Sequence, residues 1–206
     1  LMKKIKFHVE KEEMLTNNQI FDKLEDSGLP LFTNDSKNYN LNLIGVRTLD
    51  DTSNKFNDLM IVMWYYGGEW NRLNFNITTD AGVYYRENPM NVNGTAILKE
   101  GHHKGLWTIG KHRGQYEALV QLGVAEVYRD NNKDDVLDFD CGTQTGVFGI
   151  NCHRANQNAT STNVDKWSAG CQVFANPKDF DLFMDICNRG AENWGNKFSY
   201  TLLLED

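Results

Sequence analysis

Eight apolar residues follow one another from Leu59 to Tyr66, and Gly67-Gly68 ends the run. A run of that length, rich in β-branched and aromatic residues, reads as a buried strand. The glycine pair turns the chain, and Glu69 to Ile77 then alternates apolar and polar residues, which predicts a second strand with one wet face. Leu41 to Val46, Val124 to Tyr128 and Phe198 to Leu204 are further strand-like runs. Strands separated by glycine turns in this way predict a β-rich α+β body.

Two helices complete the expectation. Thr16 with Gln19 three residues on has the pattern of a capping box, Ile20, Phe21 and Leu24 supply an apolar face, and Ser27-Gly28-Leu29-Pro30 stops the helix. Asn176-Pro177 pairs an N-cap residue with a first-turn proline. Phe180, Phe183, Met184 and Cys187 then recur at helical spacing, with Ala191 and Trp194 on the same face, and Gly195-Asn196 ends the segment. Residues 1–40 are therefore expected to form an N-terminal helical appendage. Residues 41–206 are expected to form the β-rich catalytic domain, closed by the C-terminal helix and a final strand.

The chain has 206 residues, enough to bury a sizeable core. Its formal net charge of −7 disfavours nucleic-acid phosphates as partners and offers no polybasic handle for anionic membranes. No stretch approaches the roughly 20 apolar residues of a transmembrane helix, so membrane insertion is not expected. The first residues, Leu1 to Met14, start basic and contain no apolar run, so a secretory signal is not expected. Synthesis in a cytoplasm follows, and a role at a bacterial cell wall then requires another route out, such as phage lysis or carriage in a virion. Cys141, Cys152, Cys171 and Cys187 are too few for a disulfide framework and show no Cys-x-x-Cys pair. Two buried thiols are expected at Cys141 and Cys152.

Chemistry concentrates between Cys141 and Phe174. Gly146-Val147-Phe148-Gly149-Ile150 is strand-like and delivers Cys152-His153-Arg154; an Asn/Thr/Ser-rich loop follows, and the chain returns as Trp167-Ser168-Ala169-Gly170-Cys171-Gln172-Val173-Phe174. A thiol and an imidazole thus each adjoin a strand-like segment. Cysteine catalysis uses this pairing: the sulfur attacks while the imidazole withdraws and later returns the proton, and a low-pKa sulfur is its usual mark. Gly170 would allow close approach of the backbone to a substrate and aim N–H groups at an oxyanion. The bland alternative is a buried core cysteine beside a hydrogen-bonded structural histidine.

His153, fourteen intervening residues, then Ser168-Ala169-Gly170-Cys171 resembles the signature of YkuD-type L,D-transpeptidases, a His followed at this spacing by Ser/Thr-His-Gly-Cys. Gly142 to Phe148 is loosely similar to that family's Thr-Pro-x-Gly-x-Phe segment. The chain departs from the pattern at Arg154, where Gly is usual, at Ala169, where the second His stands, and at Gln172-Val173 after the cysteine. The resemblance implies a mixed β-sheet or barrel body. It also implies a cysteine enzyme that cleaves or exchanges peptidoglycan stem peptides through a thioester, with no cofactor required for catalysis. Cys171 would be the nucleophile and His153 the base. Arg154 would hold the imidazole through its carbonyl, Ser168 would match the motif serine, and the amides of Gly170 and Cys171 would contribute to an oxyanion hole. A lytic L,D-peptidase of phage origin, hydrolytic rather than transferring, is the expected form. The rival is a non-catalytic virion or wall-binding module on the same fold. A papain-like arrangement requires Cys before His, the reverse of the order here.

Two other segments carry candidate ligands. Lys99 to Gly114 gathers His102, His103, His112, Lys104, Lys111, Arg113 and four glycines. A solvated loop is expected there, ahead of a cationic loop recognising a substrate carboxylate and of a zinc site. Asp130, Asn132, Asp134 and Asp138 place oxygen ligands at relative positions 1, 3, 5 and 9, the front half of a calcium loop. Asp135 stands where that loop has Gly, and Cys141 where it has the bidentate Glu. The alternatives are a structural calcium and an acidic hairpin turn.

Overall fold

The computed structural model describes residues 15–52 and 54–205. In chain order the elements are α1 (Asn17–Asp26), β1 (Asn42–Arg47), β2 (Asp58–Tyr66), β3 (Glu69–Thr78), α2 (Val83–Glu87), β4 (Thr95–Leu98), β5 (Gly101–His112) and β6 (Tyr116–Gln121). They continue with β7 (Ala125–Asp130), β8 (Thr143–Gly146), β9 (Cys152–Arg154), β10 (Gln172–Phe174), α3 (Pro177–Trp194) and β11 (Phe198–Leu204). The fold is α+β and strand-rich, as expected.

The chain divides into two compact units, Leu1–Leu31 and Phe32–Asp206. In the first, Thr16 caps α1 reciprocally: its hydroxyl accepts from the Gln19 amide at 3.2 Å, and the Gln19 side chain accepts from the Thr16 amide at 2.7 Å. The division falls earlier than residue 40 because the segment after Leu31 is tied into the second unit. The Asn42 side chain accepts from the Phe32 amide and donates to the Phe32 carbonyl, and Trp194 donates to the Asn38 carbonyl.

In the second unit eight strands close into a barrel in the order β1-β11-β5-β6-β9-β10-β3-β2, and β4-β7-β8 form a separate sheet. Closure removes exposed strand edges. The β2–β3 hairpin pairs from Asp58↔Ile77 to Tyr66↔Glu69 around Gly67-Gly68, as the alternation predicted. Two parallel pairs, β1 with β11 and β9 with β10, carry the long-range connections. The core joins Leu43, Met60, Val62, Trp107, Phe174 and Tyr200 of the barrel to Phe180, Phe183, Met184 and Cys187 of α3. Phe174 and Phe183 lie 4.8 Å apart between ring centroids, and Phe75 is 5.4 Å from Phe174.

Two aromatic side chains inside the barrel have their polar atoms paired. Tyr200 donates to the Gln172 side-chain oxygen at 2.9 Å, and Trp107 donates to the Ile150 carbonyl at 2.7 Å. The segment from Thr78 to Gly82 holds a buried electrostatic knot. Arg47 Nε lies 2.9 Å from an Asp80 carboxylate oxygen, and its guanidinium donates to the Leu98 and Thr79 carbonyls. Asp58 accepts from the amide and hydroxyl of Thr79.

Three expectations are corrected. Lys99 to Gly114 is not a loop, because β5 occupies Gly101–His112 and is paired on both sides. Its glycines do not break it: Gly105 takes φ +59° where the β5–β11 register shifts, as at a bulge. Gly146 to Ile150 is not a strand. Pairing ends at Gly146, Val147 is 63% exposed, and Gly149 takes φ +76°. Cys141 is exposed, with its thiol on the Asp138 carbonyl, while Cys152 is buried; both are free thiols.

Candidate active site

β9 and β10 run parallel with Gln172↔Cys152, Val173↔His153 and Phe174↔Arg154 in register. Side chains alternate along such strands. Cys152, Phe174 and Gln172 point into the barrel, while Val173, Ala155 and Ala175 form an outer cluster against which Cys171 packs. Cys171 precedes Val173 by two residues, so its thiol issues from the same outer face as His153, diagonally across the pair. A strand spacing of about 4.8 Å and two residues of rise put the backbones about 8 Å apart, within the combined reach of an imidazole and a thiol. Both side chains line one cleft of about 430 Å³.

The ring of His153 is held on two sides. Its Nδ1 lies 2.8 Å from the Arg154 carbonyl, which requires Nδ1–H as donor and leaves Nε2 as the basic nitrogen. His112, at the end of β5, stacks on it at 4.0 Å with 21° between the rings. The Asn151 amide donates to His112 Nδ1 at 3.1 Å, and the Asn151 carbonyl accepts from the Gln172 amide at 2.9 Å. The Arg154 guanidinium turns away and covers the Tyr116 ring at 3.8 Å.

Electrostatics leave this pair neutral at rest. Burial first, then the charges of His112, Arg113 and Arg154, together lower the His153 pKa to about 3, and only the bond to the Arg154 carbonyl opposes them. Burial raises the Cys171 thiol, partly offset by the Asn151 backbone and Arg113. The expected low-pKa sulfur is therefore not what the resting site holds. The thiol lies 3.4 Å from the Gly149 carbonyl as a weak donor.

The turn before Cys171 differs from expectation in detail. The Ser168 hydroxyl donates to the Cys171 carbonyl at 2.8 Å and accepts from the Gly170 amide at 3.1 Å, so Ser168 shapes the turn. The Gly170 amide is thereby occupied, which removes it from an oxyanion hole. Gly170 is required for another reason. It takes φ +121°, and a Cβ there would overlap the Ala96 carbonyl oxygen.

The cleft contains residues that sequence reasoning missed. Arg129 and Lys166 line it beside Arg113, and among the described residues no acidic one does. Arg129 covers Phe148 at 4.6 Å and is held by the Gln144 side chain and the Gly94 carbonyl. Trp167 and Met90 are apolar lining, 41% and 75% exposed. Arg113 and His112 belong to the basic segment singled out in the sequence, but their arrival at the thiol depends on the β5–β6 hairpin. The other histidines go elsewhere: His102 Nδ1 meets the Thr201 hydroxyl, and His103 Nε2 the Lys99 carbonyl.

Asp130, Asn132, Asp134 and Asp138 are brought together at the β7–β8 connection, where the Asn132 amide donates to Asp134 at 2.9 Å and Asp138 at 2.6 Å. Among the described residues no three His, Cys, Asp or Glu side chains converge tightly enough to hold a metal as they stand. Among them, too, no helix is long and apolar enough to cross a membrane.

Neither a scan against protein-family models nor a comparison with curated proteins finds a match to the chain. The functional reading therefore rests on the geometry of the site and on the motif resemblance.

Proposed function

We propose that the chain is a cysteine peptidase that cleaves carboxylate-bearing peptides of the peptidoglycan stem type through a thioester on Cys171. The observation that carries this reading is the placement of Cys171 and His153 on one face of adjoining parallel strands, open to one cleft, with His153 Nδ1 tied to the Arg154 carbonyl. That tie presents Nε2 as the proton acceptor. Three cations and, among the described residues, no carboxylate in the lining favour an anionic peptide, against the negative charge of the whole chain.

The steps follow from the neutral pair. As Cys171 Sγ bonds to the substrate carbonyl carbon, its proton passes to His153 Nε2, so charge separates only in the transition state. With the Gly170 amide committed to Ser168, the Cys171 amide is the remaining donor of that pair for the oxyanion. The tetrahedral adduct collapses to a thioester as the imidazolium returns its proton to the leaving amine. Water, deprotonated by the same nitrogen, then releases the acid and restores the thiol. An amine in place of water would give cross-link exchange; hydrolysis is the favoured course.

A second reading, a non-catalytic wall- or virion-binding module, is favoured by the raised thiol and by Ala169 and Arg154 in place of the motif residues. Incubation of the protein with purified muropeptides, read by mass spectrometry, separates the two. The peptidase predicts shortened stems and, in His153→Gln, a slowed turnover with the thioester mass on Cys171. Unchanged muropeptides with retained binding to wall sacculi establish the module instead.

A further inference from the structure

We infer that the connection between β7 and β8 is a calcium site, built from the side chains of Asp130, Asn132, Asp134 and Asp138, that braces one wall of the thiol cleft. Asp130, the last residue of β7, has no accessible surface, and neither of its carboxylate oxygens closes a hydrogen bond. The backbone amides of Asn132 and Asp138 face that carboxylate, which directs it into the loop. A buried carboxylate without a partner is costly and persists where a cation or a proton compensates it. Burial, with Asp138 and Asp134 nearby, pushes its pKa up to about 6.

The remaining oxygens are already gathered. The Asn132 amide nitrogen bridges Asp134 and Asp138, standing between two carboxylates where a cation would be drawn. Half a turn of that amide presents its oxygen instead, and the two carboxylates can then close on an ion with Asp130. The donor set is oxygen only, at positions 1, 3, 5 and 9, which suits calcium and not zinc. The loop is anchored independently of any ion. Arg86 donates to the Asp135 carbonyl, and the Leu137 amide donates to the Asp51 carbonyl at 2.8 Å.

The location links the ion to the cleft. β8 leads directly into Val147, Phe148, Gly149 and Ile150, which line it, and the Gly149 carbonyl faces the Cys171 thiol. This linkage rests on the proposed role of the cleft; the binding site itself does not.

Calorimetric titration of the chelator-treated full chain with calcium chloride, paired with thermal unfolding, tests the site without any turnover assay. One calcium per chain is expected, with a rise in Tm of about 5–10 °C at a hundredfold excess over Kd. Magnesium, which demands octahedral geometry, is expected to give a smaller rise. Asp138→Asn, a change outside the buried core, and Asp130→Asn are each expected to abolish both responses. In chelator Asp130→Asn should unfold at a Tm no lower than the parent, because it removes an uncompensated buried charge. Absence of binding heat and of a Tm shift up to about 10 mM calcium, tenfold above the weakest extracellular calcium modules, overturns the proposal. So does a full calcium response in both variants.

Discussion

Gly170 and Cys171 are adjacent, yet substitutions at them have opposite signatures. Gly170→Ala introduces a Cβ at φ +121° against the Ala96 carbonyl, so it is expected to cost about 1–3 kcal/mol in urea denaturation and to disturb the thiol with it. Cys171→Ser changes one half-buried atom. It should leave the denaturation midpoint unaltered while lowering muropeptide turnover about 10³-fold or more. At His153 the relevant quantity is the proton. In the proposed mechanism His153 acts when neutral, and its pKa of about 3 puts the acid limb of kcat/KM far below the usual histidine range. His112→Ala removes a charge that opposes protonation of His153, so that limb should move to higher pH. A limb unmoved in a pH–rate profile of His112→Ala would show that the stacked ring does not tune the base.

Among elements, α3 is the clearest case of local pattern surviving into the fold. Asn176 caps it by accepting from the Lys178 amide at 2.9 Å, Pro177 opens it, and the Phe180/Phe183/Met184/Cys187 stripe is buried. Phe183→Ala should cost about 3–5 kcal/mol, seen as a lower urea midpoint with an unchanged m-value. The same stripe buries Cys187, and that burial raises its thiol well above the ordinary range. β5 is the opposite case. Its glycines and paired histidines have no clean alternation, and it is a strand because β6 and β11 pair with it on both sides.

For the molecule as a whole, burial of a neutral imidazole makes the site a determinant of acid stability. The folded pKa of His153 is about 3, below the unfolded value near 6.5, so between these values the unfolded chain binds the extra proton. Stability from this group is present above about pH 6.5 and is lost as pH falls toward 3. His153→Gln should therefore lose less stability than the parent over that window, by a few kcal/mol at its acid end, measured as urea unfolding free energy against pH. What the sequence determined by itself is what neighbouring residues decide: the capping box at Thr16, the Gly67-Gly68 hairpin, the start and stripe of α3, and the Cys–His spacing with the strand-like run after the cysteine. Hydrogen bonds and side-chain periods within one or two turns set these features. Only tertiary structure decided that His112 stacks on His153, that Arg129 and Lys166 line the cleft, that the Gly170 amide is taken by Ser168, and that Asp130 is buried without a partner. Each of these depends on which strands the closing barrel and its side sheet place next to one another, and that register is set by contacts between residues far apart in the chain.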